Sequence, residues 1–349
     1  MQVPISSKQT PSIWQLVDAR ALGGIERHIG ILACALRERG FAVDVVRYAE
    51  YGDQPWLRQL AAEGISVRSL AGTPSALLAA LRKERPALLH THGYKAGILG
   101  RISARLLGVP CVSTFHAGER GLFPLWVYQG VDNWTSFLAQ RIAVTPSIAQ
   151  GLPFGATVIA NFVAAGPARH DPPPRRVAFV GRLSPEKGPD LFCALARLGP
   201  STLLYDCYGE GPMLPTLAAQ YGDVVQFHGF TPSERIWPQV GLLVMPSRAE
   251  GLPLAALEAL AAGVPVAASR VGGLPDLIRA DETGWLFDVE DTPAAADAVA
   301  AWSRLEPSQL LEMGWRCRSD VVDRYGIARQ LPKVLGVYAD AGLTVPRAP

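Results

Sequence analysis

Glu250 and Glu258 stand eight residues apart in the segment VMPSRAEGLPLAALEALAAGVPVAAS (244–269), and what lies between them gives the spacing chemical meaning. An apolar run of strand length, 241–245, leads in. Pro253 then sits where a helix would begin, and helix formers from Leu254 onward run to a stop at Gly263 and Pro265. A helix starting there turns the free amides around Gly251, Leu252, Leu254 and Ala255 toward whatever lies beyond the strand. Such amides satisfy a phosphate or diphosphate without any lysine. Glu250 lies just before them and Glu258 about one and a half turns into the helix. Carboxylates accept hydrogen bonds from vicinal diols, so both suit a ribose or a hexose.

Arg182 and Lys187 flank a turn after the apolar run 177–180, with Ser184 and Pro185 between them. Two cations at one strand end can neutralise a diphosphate. The competing reading pairs Lys187 with Glu186 or Asp190. Gly23 and Gly24 follow the first apolar run and precede a helical pattern, so the backbone can approach a ligand closely and offer it amides; an ordinary tight turn is the plainer alternative. The Gly-x-Gly-x-x-Gly spacing of a nicotinamide site is missing at that point, which argues against a dehydrogenase. His90 and His92 fall on one face of a strand, but no third His, Cys or acidic cluster accompanies them at a recognisable metal spacing. Positioning the loop that begins GYKAG is their expected role. His116 ends a buried strand and is followed by small residues that leave room for a substrate.

The segment from Glu250 to Glu258 closely resembles the donor-binding signature of retaining GT-B glycosyltransferases, in particular glycosyltransferase family 4. FVGRLSPEKGPDLF (179–192), YGEGPML (208–214), FHGF (227–230) and GGLPDLI followed by TGWLF (272–287) resemble the rest of that family's C-terminal domain in order and spacing. GGIERHI (23–29), HTHGYKAGILGR (90–101) and STFHAG (113–118) look like its acceptor-side elements, so the likeness covers nearly the whole chain.

The resemblance implies a hexosyltransferase that uses a UDP- or GDP-sugar and retains the anomeric configuration. Arg182 and Lys187 would take the diphosphate, Glu250 would grip the donor hexose and Glu258 the ribose. His116 would approach the sugar near the reacting centre. Gly23, Gly24, Gly181, Gly209, Phe230, Gly251, Leu252, Pro253 and Leu254 would complete the donor site, and His92, Tyr94, Lys95, Phe123 and Trp126 the acceptor side. No acidic residue is placed as a double-displacement nucleophile, so the resemblance implies that the departing phosphate oxygen accepts the acceptor's proton. No Asp-x-Asp motif is present, and with two cations and a helix start in place neither a metal nor another cofactor is expected. A sugar-nucleotide epimerase or hydrolase of the same fold is the alternative.

These residues need elements that carry them to strand ends. The pattern of short apolar strand, loop and amphipathic helix repeats on both sides of GPARHDPPPRR (166–176), whose three consecutive prolines make a stiff spacer. Strands are expected at 13–17, 42–46, 87–90, 111–115 and 142–144 in the first half. In the second they are expected at 177–180, 203–208, 224–227, 241–245 and 266–268. Alternation of this kind predicts an α/β protein with two doubly wound, Rossmann-like parallel sheets, in which ligands bind at the C-terminal strand ends. The expected division is an acceptor domain over 1–165, a linker over 166–176, a donor domain over 177–325, and a last helix within 326–349. The family likeness adds a GT-B arrangement, with the domains facing across a cleft and that helix crossing back to the first. Pro332 interrupts the last helix's pattern without ending it. VIANFV (158–163) departs from the family's Pro-Asn-Gly turn.

The 349 residues suit two cores, and hydrophobic residues make up 49% of them. No apolar run approaches the roughly 18–20 residues of a membrane span, and MQVPISSKQTPS has no signal-peptide core, so a cytoplasmic protein is expected. Five scattered cysteines read as reduced, mostly buried thiols. Residues 1–165 carry 16 Lys and Arg against 10 Asp and Glu, while the remainder carries 17 against 21. Such an imbalance is most often merely solvated surface, but a basic first half also suits an acceptor on an anionic inner-membrane leaflet; the expected acceptor is a soluble glycan or a polyprenyl- or lipid-linked one, and no nucleic acid is expected. The aromatic stretch GERGLFPLWVYQGVDNWTSF (118–137) either fills core or meets acceptor or lipid.

Overall fold

The computed structural model describes residues 11–18, 23–52, 54–116, 125–166 and 169–345. Two compact units divide the chain. The first takes the described residues of Met1–His116, Arg120–Ile159 and Leu331–Pro349, and the second takes those of Ala160–Gln330.

The first unit is built on seven parallel strands: β1 (Ser12–Val17), β2 (Ala42–Arg47), β3 (Ser66–Ser69), β4 (Leu88–His92), β5 (Cys111–Phe115), β6 (Gln140–Ala143) and β7 (Thr157–Val158). They lie in the order β3-β2-β1-β4-β5-β6-β7, a doubly wound sheet whose order reverses between β1 and β4. Ile13, Leu16, Leu88 and Leu89 are completely buried, as a sheet covered on both faces requires. β3 and β7, neither of which stands out in the sequence, are the two edges. The helix Tyr94–Leu107 packs close because Gly100 lacks a side chain; a Cβ there would lie 2.6 Å from Cγ2 of Thr91.

The second unit has six parallel strands: β8 (Arg176–Val180), β9 (Leu204–Tyr208), β10 (Gln226–Gly229), β11 (Leu242–Met245), β12 (Val266–Ser269) and β13 (Gly284–Phe287). Their order is β10-β9-β8-β11-β12-β13, with the reversal between β8 and β11. The proline-rich stretch is tied to this unit. Arg169 donates to the carbonyls of Trp237 and Val240, and Arg175 to those of Ser303 and Leu305.

The helix Ile327–Asp340 runs through Pro332, and the boundary between the two units falls within it, at Gln330 and Leu331. Its Tyr338 is completely buried in the first unit. Among the described residues no helix is long and apolar enough to cross a membrane.

Candidate functional site

In the second unit the loops leaving β8 and β11 meet. Lys187 Nζ lies 2.6 Å from Glu250 Oε2, and Ser247 Oγ donates to Glu250 Oε1 at 2.8 Å. Lys187 therefore pairs neither with Glu186 nor with Asp190. Glu186 accepts from Ser184 Oγ at 2.5 Å, and Asp190 is taken by Arg248 through two bonds of 3.0 and 2.7 Å. Arg248 also donates to the Pro185 carbonyl at 2.7 Å and reaches Glu290 at 2.9 Å, strapping the two loops together. The carboxyl of Asp190 is held below its usual range, its bond to Arg248 and that guanidinium's charge outweighing burial.

Glycines let these loops approach. Gly188 sits at φ +66, and a Cβ on it would lie 2.1 Å from the Pro246 carbonyl oxygen. A Cβ on Gly209 would lie 1.9 Å from the Gly181 carbonyl oxygen, and Gly209 itself donates to Gly229 at 2.8 Å.

The helix Leu254–Ala261 starts at Pro253, and the amides of Leu254, Ala255 and Ala256 form its free N-terminal end. Leu252 and Leu254 bury their side chains, so only their backbone can meet a ligand. Glu258 lies within the helix, also buried. Asn161 Nδ2 donates to the Leu252 carbonyl at 2.7 Å. The asparagine of VIANFV thus holds the turn before the helix, a part the departure from the family pattern concealed. Arg182 is exposed after β8, without an ion pair among the described residues, and Phe230 is exposed after β10. Sequence and structure thus bring Arg182, Lys187, Glu250 and Glu258 into one unit.

In the first unit Gly23 caps the helix Gly24–Glu38, but its amide is engaged: Glu26 Oε2 accepts it at 2.8 Å. Glu26, three residues on, is thus the partner this amide has in the structure. Burial raises the Glu26 carboxyl above its usual range. His92 and His116 do come together, His92 Nδ1 lying 3.1 Å from His116 Nε2. Behind them runs a chain that no local pattern announces. His92 Nε2 meets Gln15 Oε1 at 2.7 Å, Gln15 Nε2 donates to Tyr338 Oη at 3.2 Å, Tyr338 Oη lies 2.8 Å from His90 Nδ1, and His90 Nε2 lies 2.7 Å from Thr114 Oγ1. Burial drives His90 and His92 well below the ordinary imidazole range and brings His28 down to about 4.

The acceptor-side residues separate. His92 is buried. Lys95 is exposed, 3.1 Å from Asp18 and over the ring of Tyr48 at 4.5 Å, while Tyr94 Oη accepts from Gln129 at 3.0 Å. Phe123 lies outside the described residues. Trp126, Tyr128, Val131 and Trp134 project from the helix Leu125–Thr135 into solvent, Trp134 being 70% exposed, so for them core filling is excluded. The opposite side of that helix is anchored by Asp132, whose Oδ1 lies 2.6 Å from Arg101 Nη2.

Residues 22–163 match the family model described as Glycosyltransferase Family 4, and residues 174–304 match that of Glycosyl transferases group 1. A D-inositol 3-phosphate glycosyltransferase of Acidothermus cellulolyticus is 29% identical over 91% of this chain and 86% of its own length. A UDP-Gal:alpha-D-GlcNAc-diphosphoundecaprenol alpha-1,3-galactosyltransferase of Escherichia coli is 27% identical over 74% of this chain and 77% of its own. Among solved structures, Anabaena HepE in complex with UDP and glucose is similar in fold, with a TM-score of 0.82 at 17% identity, covering 94% of this chain and 99% of that one. The chain belongs to glycosyltransferase family 4, and its two parallel-sheet units are the Rossmann-like domains of a GT-B fold.

Proposed function

We propose that this glycosyltransferase moves a hexose from a UDP- or GDP-sugar to a hydroxyl of a glycan or lipid-linked saccharide, with retention at the anomeric carbon and without a metal on the diphosphate. The observation that carries the reading is the pairing of Lys187 with Glu250 at 2.6 Å beside a helix N-terminus in the second unit. An incoming diphosphate takes over the Lys187 ammonium and accepts from the helix amides, with Arg182 as a second cation. Glu250 is then released to accept hydrogen bonds from the sugar. Glu258 holds the ribose, and His116 in the first unit meets a sugar hydroxyl. Pre-placed donors of this kind contribute on the order of 10²–10³ in rate each.

The similarity to the UDP-Gal:alpha-D-GlcNAc-diphosphoundecaprenol alpha-1,3-galactosyltransferase of Escherichia coli supports this choice of substrates. The exposed aromatics of the helix Leu125–Thr135 suit a cytoplasmic enzyme resting on the inner leaflet, in the assembly of a surface polysaccharide or lipopolysaccharide.

The test is incubation with UDP- and GDP-hexoses, with and without a polyprenyl-linked saccharide, in the presence of chelator. Acceptor-dependent transfer giving the donor's own anomer supports the reading. Epimerisation, acceptor-independent hydrolysis alone, an inverted product, or activity restored only by magnesium overturns it.

A further inference from the structure

Four of the chain's six histidines gather in the first unit, and they are not equivalent. His90 has both ring nitrogens engaged, by Tyr338 and Thr114. His28, His92 and His116 are different, because one ring nitrogen from each lies within 4.8 Å of the others. They come from three separate places: the helix Gly24–Glu38, the end of β4, and the residue just after β5. Of the sequence pair His90 and His92 only His92 belongs to this cluster, and the fold brings His28 and His116 to it. We propose that His28, His92 and His116 form a three-imidazole site for a divalent transition metal of the zinc class, with a fourth position open to water or an anion.

Three features support it. First, a tetrahedral ion with bonds of about 2.0–2.1 Å holds its ligand nitrogens roughly 3.3 Å apart. His92 Nδ1 and His116 Nε2 already stand at 3.1 Å, and the His28 nitrogen, within 4.8 Å of both, is the one that must close in.

Second, the orientation of His92 is fixed from behind. Gln15 donates its amide to Tyr338 Oη, which turns its carbonyl oxygen to His92 Nε2 at 2.7 Å. The proton of His92 is thereby placed on Nε2, and the Nδ1 lone pair is aimed at the cluster. A ligating histidine that donates its other nitrogen to a carbonyl oxygen is the usual supporting arrangement of a metal site.

Third, the donor set suits such an ion. Three imidazoles without a carboxylate favour zinc, cobalt, nickel or copper over magnesium or calcium. His116 donates Nε2–H to His92 in the hydrogen-bonded arrangement. On metal binding it carries its proton on Nδ1 instead, so both facing nitrogens present lone pairs.

A consequence rests on the role proposed above for His116. With a metal on Nε2, that nitrogen is withdrawn from the sugar, so zinc would inhibit transfer. The site itself is tested without any sugar.

The full-length protein, purified in chelator and desalted, is titrated with Co²⁺ and followed by visible absorption, with Zn²⁺ competition and Mg²⁺ as control. Expected are one equivalent of Co²⁺ with the intense bands of a four-coordinate ion, displacement by Zn²⁺, and no response to Mg²⁺. His28→Gln lowers the affinity at least 100-fold, and Gln15→Leu lowers it 10–100-fold. X-ray absorption of the wild-type zinc form shows three imidazole nitrogens at about 2.0–2.1 Å, a readout independent of whether any variant folds. No saturable Co²⁺ binding, fewer than three imidazoles in the absorption spectrum, or unchanged affinity in a folded His28→Gln protein overturns the proposal. Zinc binding without inhibition would overturn the role given to His116 and leave the site standing.

Discussion

Tyr338 Oη lies 2.8 Å from Nδ1 of His90, and both side chains are completely buried. The hydroxyl accepts from Gln15 Nε2 and donates to His90, so a residue of the last helix completes a polar chain through β1 and β4. Replacing it with Phe keeps the ring and leaves two buried polar atoms without that partner. The expected cost is about 1–3 kcal/mol. Hydrogen exchange by mass spectrometry reads it as roughly 5–150-fold faster exchange of globally protected amides in β1 and β4, with the second unit unchanged. Unaltered exchange in those strands would remove the claim.

Arg101 is 1% exposed and reaches Asp132 Oδ1 at 2.6 Å, the Asp132 carbonyl at 2.8 Å, Thr135 Oγ1 at 2.7 Å and Ser113 Oγ at 3.1 Å. Burial pushes the Asp132 carboxyl up to about 6 against the pull of this guanidinium, so the pair is ionised at neutral pH. Asp132→Ala strands a buried cation and is expected to cost about 3–5 kcal/mol, whereas an Arg101→Met/Asp132→Leu double variant recovers most of that loss. Calorimetric melts at pH 7.5 decide it. A double variant no better than Asp132→Ala would show that the pair is worth more than its desolvation.

The strands that carry the site were legible because central parallel strands are apolar runs of the right length, and the motifs sit where those runs stop. Edge strand β3 reads SVRS, polar at both ends, and β7 has only two residues, so neither carries a run to detect. At the site, Lys187 and Glu250 could be assigned together because each belongs to a recognisable motif. Gln15 and Tyr338 could not, since 323 residues separate them and each reads locally as an ordinary sheet or helix position. Lys187 pairs with Glu250 because Arg248 occupies Asp190, and that competition is decided only when the β8 and β11 loops meet.

The helix Leu125–Thr135 presents Trp126, Tyr128 and Trp134 outward while Asp132 ties its other side down. Burying two indoles in an interface is worth several kcal/mol, so a Trp126→Ser/Trp134→Ser protein should bind anionic vesicles at least ten-fold more weakly in sedimentation. UDP affinity, read by calorimetry, should not change. Equal vesicle binding by the variant would assign these rings elsewhere.

Gly272 packs against the loop that carries Glu250. It sits at φ +56, and a Cβ there would lie 2.1 Å from the Glu250 carbonyl oxygen and 2.6 Å from that of Gly251, while Gly273 donates to the Gly251 carbonyl at 2.7 Å. Alanine at 272 meets backbone, which cannot rotate aside, so the loop carrying Glu250 must move away from Lys187. With strain on the order of 1–3 kcal/mol, UDP binding should weaken roughly 5–150-fold. Gly336→Ala is the matched control: it lies in a helix with nothing within 4 Å of the added Cβ, and should stabilise by about 0.5–1 kcal/mol without touching UDP affinity. If Gly272→Ala binds UDP as the parent does, the Glu250 loop does not hold the nucleotide.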